Sequence, residues 1–202
     1  MADNTIGDLP SETSVDRSTA LIEVETNTPA SRKMTIRDAS GVGWVYLKDS
    51  NYTSSSTLSI NNTIAQLTND ELGSGTVTTY APKNAAGSSY SLWSSNRINA
   101  AAVGDVYTLR ADFKATTTTP SAYFDLRIDD GTATPNYIIE HLFPMTKGTG
   151  TVHEFSVSFP IFADATFVAN GAKIMIDSSI SNANLSVYDI AFFIKRDYAA
   201  GL

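Results

Sequence analysis

Recognising a sugar takes aromatic faces for the C–H side of a pyranose and amides, hydroxyls or charges to fix its hydroxyl groups. The first half of this 202-residue chain carries aromatics at Trp44, Tyr46, Tyr52, Tyr80, Tyr90 and Trp93. The run Tyr90-Ser-Leu-Trp93-Ser-Ser-Asn96-Arg97 combines both kinds of group in what reads as a loop. Tyr90, Trp93, Asn96 and Arg97 are therefore the candidate glycan-binding set. The competing assignment makes Trp44 and Trp93 core anchors, since large aromatics bury the most area.

Catalytic chemistry has less to work with. His141 and His153 fall in different expected strands as surface residues, and the adjacent Glu140 and Glu154 would point to the opposite strand face. Asp129-Asp130-Gly131 could offer oxygens to calcium, but Asp-Gly is turn chemistry at a hairpin tip. Glycoside cleavage needs two acids held about 5–10 Å apart across a groove, and no acid stands in an aromatic-rich, groove-like context. Nucleophile-elbow, zincin and P-loop patterns are missing, and with no cysteine there is no thiol nucleophile or disulfide framework. The expectation is no enzyme, no catalytic residue, no metal and no cofactor.

Charge narrows the partners. Fourteen Lys+Arg against 21 Asp+Glu leave a net −7, which repels a phosphate backbone, so no nucleic-acid partner is expected. Charged residues make up only 17%, against a usual share of about 25%, and Ser and Thr fill the difference, which points to a folded, neutral-polar surface. The opening MADNTIGDLP lacks an apolar h-region, and no apolar stretch approaches the roughly 20 residues of a membrane span. A soluble chain made in a cytoplasm, without membrane insertion, is the expectation.

The elements that must position any site are strands. Residues 106–115 alternate Tyr107, Leu109, Ala111 and Phe113 against Thr108, Arg110, Asp112 and Lys114. Residues 122–129 repeat the pattern, 151–160 follow it with an irregularity near His153–Glu154, and 172–177 read as buried on both faces. Residues 183–196 change phase near Asp189, the mark of a β-bulge. Gly, Pro and Asn turns punctuate these runs, and residues 44–82 bring the total to about eight strands; only 61–72 offers weak helical spacing. The fold class expected is all-β: an antiparallel β-sandwich, jelly-roll-like, over residues 41–202.

Residues 1–40 differ. Strands at 20–26 and 32–37 would form a hairpin, with Ile22 and Val24 facing Met34 and Ile36, too small to stand alone in water. The run Thr5-Ile6-Gly7-Asp8-Leu9-Pro10, then Thr13, Leu21-Ile22-Glu23-Val24 and Lys33-Met34-Thr35-Ile36, resembles a leader of tailed-bacteriophage virion proteins, with Gly7 where the pattern more often has a polar residue. The resemblance implies a tail-fibre, head-fibre or decoration subunit that docks through this N-terminal arm, with Ile6, Leu9, Pro10, Leu21, Ile22, Val24, Met34 and Ile36 as docking residues. It also implies capsid, neck or tail subunits as partners, a homo-oligomer, most simply a trimer by analogy with fibres, and a place in the virion.

Gly104-Asp105-Val106-Tyr107-Thr108-Leu109, Lys114 and Leu185-Ser186-Val187-Tyr188-Asp189-Ile190 are similar to carbohydrate-binding-module jelly rolls. The leading expectation is a structural virion protein displaying a β-sandwich. The alternative is a glycan-binding module that recognises the host surface.

Overall fold

A computed structural model of the chain describes residues 21–24, 32–35, 40–61, 63–84, 88–119, 123–146, 148–178 and 184–200. The body is an antiparallel β-sandwich wound as a jelly roll. One sheet has the order β11 (His153–Phe162), β8 (Val106–Thr117), β13 (Asn184–Tyr198), β3 (Gly43–Lys48), with β4 (Leu58–Asn61) also pairing with β13. The other has the order β10 (Tyr137–Pro144), β9 (Tyr123–Asp129), β12 (Lys173–Ser178), β5 (Ala65–Gln66). The pairing is nested: β3 meets β13, β5 meets β12, β8 meets β11 and β9 meets β10. A long strand pair folded back on itself produces this order, the defining trait of a jelly roll.

Period-2 alternation sets the two inner faces. Tyr107, Leu109, Ala111, Phe113 and Ala115 of β8 are buried, as are Phe124, Leu126 and Ile128 of β9 and Ile174 and Ile176 of β12. The phase slip in β13 is a bulge: its ladder with β8 shifts between Tyr188 and Ala191, and Asp189 sits at φ 52°. One extra residue exchanges the faces, so Leu185 and Val187 point inward before it and Ile190, Phe192 and Ile194 after it. β11 pairs without interruption from His153 to Phe162, and no irregularity occurs there. His153 is a buried member of the inner row, only 5% exposed and stacked on Phe155, not a surface residue.

The weak helical spacing at 61–72 does not produce a helix. Strand pairing wins: Ala65 and Gln66 pair with β12, and the Leu67 amide donates to the Ile174 carbonyl. A single-turn helix, α1 (Ala165–Asn170), was not legible in the sequence. Asp164 caps it by accepting from the Phe167 amide, and Phe167 is its one buried side chain.

The N-terminal hairpin is present as a two-stranded sheet of β1 (Leu21–Val24) and β2 (Arg32–Thr35). Its register sets Ile22 opposite Met34 and Val24 opposite Arg32, so Val24 does not sit opposite Met34. Of the docking candidates, Ile6, Leu9, Pro10 and Ile36 lie outside the described residues, and only the backbone is described for Leu21, Ile22, Val24 and Met34.

Candidate functional site

β5 is only two residues long, so the second sheet stops short of covering β3. The connection from residue 67 to 105 fills that flank by burying Leu67, Leu92, Trp93, Ile98 and Ala100. It also shields the free edge of β3: Tyr46 and Val77 exchange backbone hydrogen bonds, and the Trp44 amide donates to the Tyr80 carbonyl. Gly43 permits this approach, because a Cβ there would lie 2.5 Å from the Tyr80 carbonyl oxygen and the Pro82 nitrogen.

Between β3 and this connection lies a cavity of about 280 Å³. Its buried lining is apolar and comprises Val45, Leu47, Leu92 and Trp93. Its solvent-facing lining is polar, with Glu71, Tyr90, Thr78, Ser89 and Ser91. Burial pushes the Tyr90 phenol up to about 12; Arg196 opposes the rise and Asp105 adds to it. Burial likewise raises the Glu71 carboxyl, and the neighbouring Asp70 charge raises it further. No described residue offers Glu71 a cation within ion-pair distance.

Glu71 is held there by a relay of amides. The Asn96 side-chain oxygen accepts from the Asn69 amide at 3.0 Å, and the Asn69 side-chain oxygen accepts from the Glu71 amide at 2.8 Å. Asn69 is itself buried; its side-chain nitrogen donates to the Leu47 carbonyl, and its carbonyl accepts from the Trp93 indole at 3.3 Å. Both Glu71 and Asn96 have positive φ, 63° and 57°, which non-glycine residues adopt only where surrounding bonds enforce it.

The four glycan candidates therefore separate. Tyr90 lines the cavity, half-buried. Trp93 is 3% exposed and packs on Phe192 with ring centroids 5.1 Å apart, so it is a core anchor whose indole only floors the cavity. It is not an exposed stacking platform. Asn96 is the second corner residue of the tight β6 (Trp93–Ser94) to β7 (Arg97–Ile98) hairpin and acts through Asn69. Arg97 turns away, donating to the Asn170 and Gly171 carbonyls at the end of α1. Glu71 was invisible in the sequence, where it stands near the end of the weakly helical 61–72 stretch with no aromatic neighbour; the expectation that no acid occupies an aromatic groove is corrected by its place beside Tyr90 and Trp93.

Trp44 stacks on Tyr80 at 4.9 Å and packs against Phe193 on its other contact, so its ring is largely occupied by the protein. On the outer sheet face Lys114 bridges Asp189 and Glu154, and Asp112 takes Arg110 and Ser156. At the end of β9, Asp129 accepts from the Gly131 and Asn136 amides and pairs with Lys173 at 3.0 Å. Among the described residues no three His, Cys, Asp or Glu side chains gather as a metal group.

A buried ion pair closes the flank. Asp105 is fully buried and accepts from Arg196 at 2.9 Å, the Tyr107 hydroxyl at 2.7 Å and the Ala200 amide at 2.9 Å, with further bonds from Ala101 and Ala102. Burial alone would raise its pKa, but these donors together bring it below the ordinary value.

No protein-family model and no curated protein matches the chain. Solved structures similar to it include an Eiger TNF from S. frugiperda at 8% identity, covering 80% of this chain and 94% of the other with a TM-score of 0.44. A CBM4 structure is similar at 18% identity, covering 74% and 93% with a TM-score of 0.38. The PRD1 vertex protein P5 is similar at 17% identity, covering 78% and 97% with a TM-score of 0.39.

Proposed function

We propose that the chain is a structural virion protein of a tailed bacteriophage, a short fibre or decoration subunit that docks through residues 1–40 and displays the sandwich of residues 41–202. The observation that carries this reading is the sheet pairing of the N-terminal hairpin. Among the described residues β1 and β2 pair with each other and join neither sheet of the sandwich. A lone hairpin is marginal in water, and among the described residues each of its strands pairs on one side alone, leaving an edge to which a strand of a capsid, neck or tail subunit can add. The leader pattern from Thr5 to Ile36 supports the same assignment. The protein so placed is a virion component and not an enzyme, and a trimer follows the analogy with fibres.

Deleting residues 1–40 is expected to leave a sandwich that melts cooperatively but no longer enters the particle. Leu9→Asp with Ile22→Asp is expected to do the same, because a docked interface cannot bury unpaired charge cheaply. Quantifying the protein in purified particles checks both. Truncated protein that still incorporates overturns the docking role.

One observation favours a second role for the same displayed domain: the cavity beside Tyr90 joins an apolar floor to a polar rim, the make-up of a small-ligand site. Recognition of a host-surface glycan is the reading it supports.

A further inference from the structure

The cavity between β3 and the 67–105 connection has three properties that together select a ligand. The first is size. At about 280 Å³ it falls just under the roughly 300–1,000 Å³ of pockets that hold drug-sized molecules, so it has room for a single ring and not for an extended chain. The second is its two-sided lining. Leu47, Leu92 and Trp93 offer carbon to an apolar face, whereas Ser89, Thr78 and Tyr90 offer hydroxyls at the mouth. A flat hydrocarbon would leave those hydroxyls without partners, and a fully polar solute would waste the floor.

The third property is the charge. Glu71 carries a carboxylate into this setting on a backbone held at positive φ by Asn69 and Asn96, and no described residue neutralises it. A second acid, Asp70, stands beside it but is turned to the Ser50 and Leu72 amides at 2.9 and 3.0 Å. The cavity mouth is thus a fixed site of negative potential with hydroxyl neighbours. What satisfies it is a ring with an apolar face, several hydroxyls and one positive charge.

We propose that this cavity binds a single amino-sugar ring, with the primary ammonium on the Glu71 carboxylate, the C–H face on the floor formed by Leu92 and Trp93, and hydroxyls at Tyr90 and Ser89. The proposal rests on the host-surface glycan role given above and specifies its ligand. Charge-assisted hydrogen bonds are about twice as strong as neutral ones, so the ammonium supplies selectivity as well as affinity. Protonating Glu71 removes that selectivity; because burial and Asp70 raise its pKa, affinity falls on acidification sooner than for an ordinary glutamate.

The test titrates the full-length protein with glucosamine, N-acetylglucosamine, glucose and cyclohexylamine at pH 7, followed by tryptophan fluorescence and by calorimetry. Glucosamine is expected to bind about ten-fold or more tightly than the three others. Glu71→Gln is expected to erase the difference between glucosamine and glucose while keeping a cooperative melt no lower than the parent's. Equal binding of N-acetylglucosamine or glucose overturns the amino-sugar assignment but keeps a sugar site. Equal binding of cyclohexylamine overturns it in favour of a plain ammonium site. Binding of none of the four overturns both the assignment and the glycan role.

Discussion

Asp105→Ala removes the acceptor at the centre of the buried flank. Five donors converge on that carboxylate, and Arg196, 3% exposed, has its ion pair there at 2.9 Å. Among the described residues the guanidinium keeps one other bond, to the Gly41 carbonyl at 3.3 Å, and its Nε has no partner. Removing one member of a buried pair costs about 3–5 kcal/mol, because the remaining charge stays desolvated. Against a total stability of about 5–15 kcal/mol that is a large fraction. At roughly 2–4 °C per kcal/mol for a domain of this size the melting temperature should fall by about 6–20 °C.

Thermal and urea melts at several pH values provide the assay. The folded pKa of Asp105 is depressed, so its contribution is present above the ordinary carboxylate value and lost as pH falls through the depressed one. The gap between parent and Asp105→Ala should therefore be full at pH 7 and shrink on strong acidification. Adding Arg196→Met to Asp105→Ala should recover part of the loss, since two apolar groups leave no orphaned charge. A cost below about 1 kcal/mol, or a double variant no better than the single, would refute the assignment of this network to the stability of the flank.

Three further expectations concern other buried or packed groups. Asp130 is fully buried with one carboxylate oxygen unpartnered; burial raises its pKa and the Asp164 charge adds to the rise, against the Asn136 hydrogen bond. A raised folded pKa means that its stabilisation exists at low pH and is lost as pH rises through that value. Asp130→Asn should therefore melt above the parent at pH 7, with the gap closing towards acid; an equal or lower melting temperature at pH 7 would contradict this. Trp93→Ala should cost about 3–5 kcal/mol as a core truncation, whereas Arg97→Ala should cost about 1–3 kcal/mol through its lost bonds to the end of α1. Urea unfolding measures both, and a Trp93→Ala protein of parental stability would remove the indole from the core.

Where one strand buries one face, the residues announced their structure. β8 and β9 were legible because inward positions recur every second residue, and the bulge at Asp189 was legible because it moves the apolar set from odd to even positions. β12 was legible as a strand, but not as one buried on both faces: Ile174 and Ile176 are buried while Lys173, Met175 and Asp177 between them are only half-buried. The hairpin at Leu21–Val24 and Arg32–Thr35 was legible as strand pairs, though its register was not, since too few apolar positions bias one alignment over another. α1 escaped because one buried Phe167 in six residues has no period to detect.

The candidate site was only partly readable, and the reason is distance along the chain. Tyr90 and Trp93 stood out by type, but type alone could not say that the indole faces Phe192 while the phenol reaches the cavity. Glu71, Val45 and Leu47 had no visible bond to them. They meet because β5 is too short to cover β3, and because Asn96 and Asn69 pin the intervening loop. Alternation is a local property, written wherever a strand lies half in a core, so the amino-acid order determined the sheets and the turn in phase between them. The cavity is a non-local property, set by which loop fills which gap, and that only three-dimensional packing could decide.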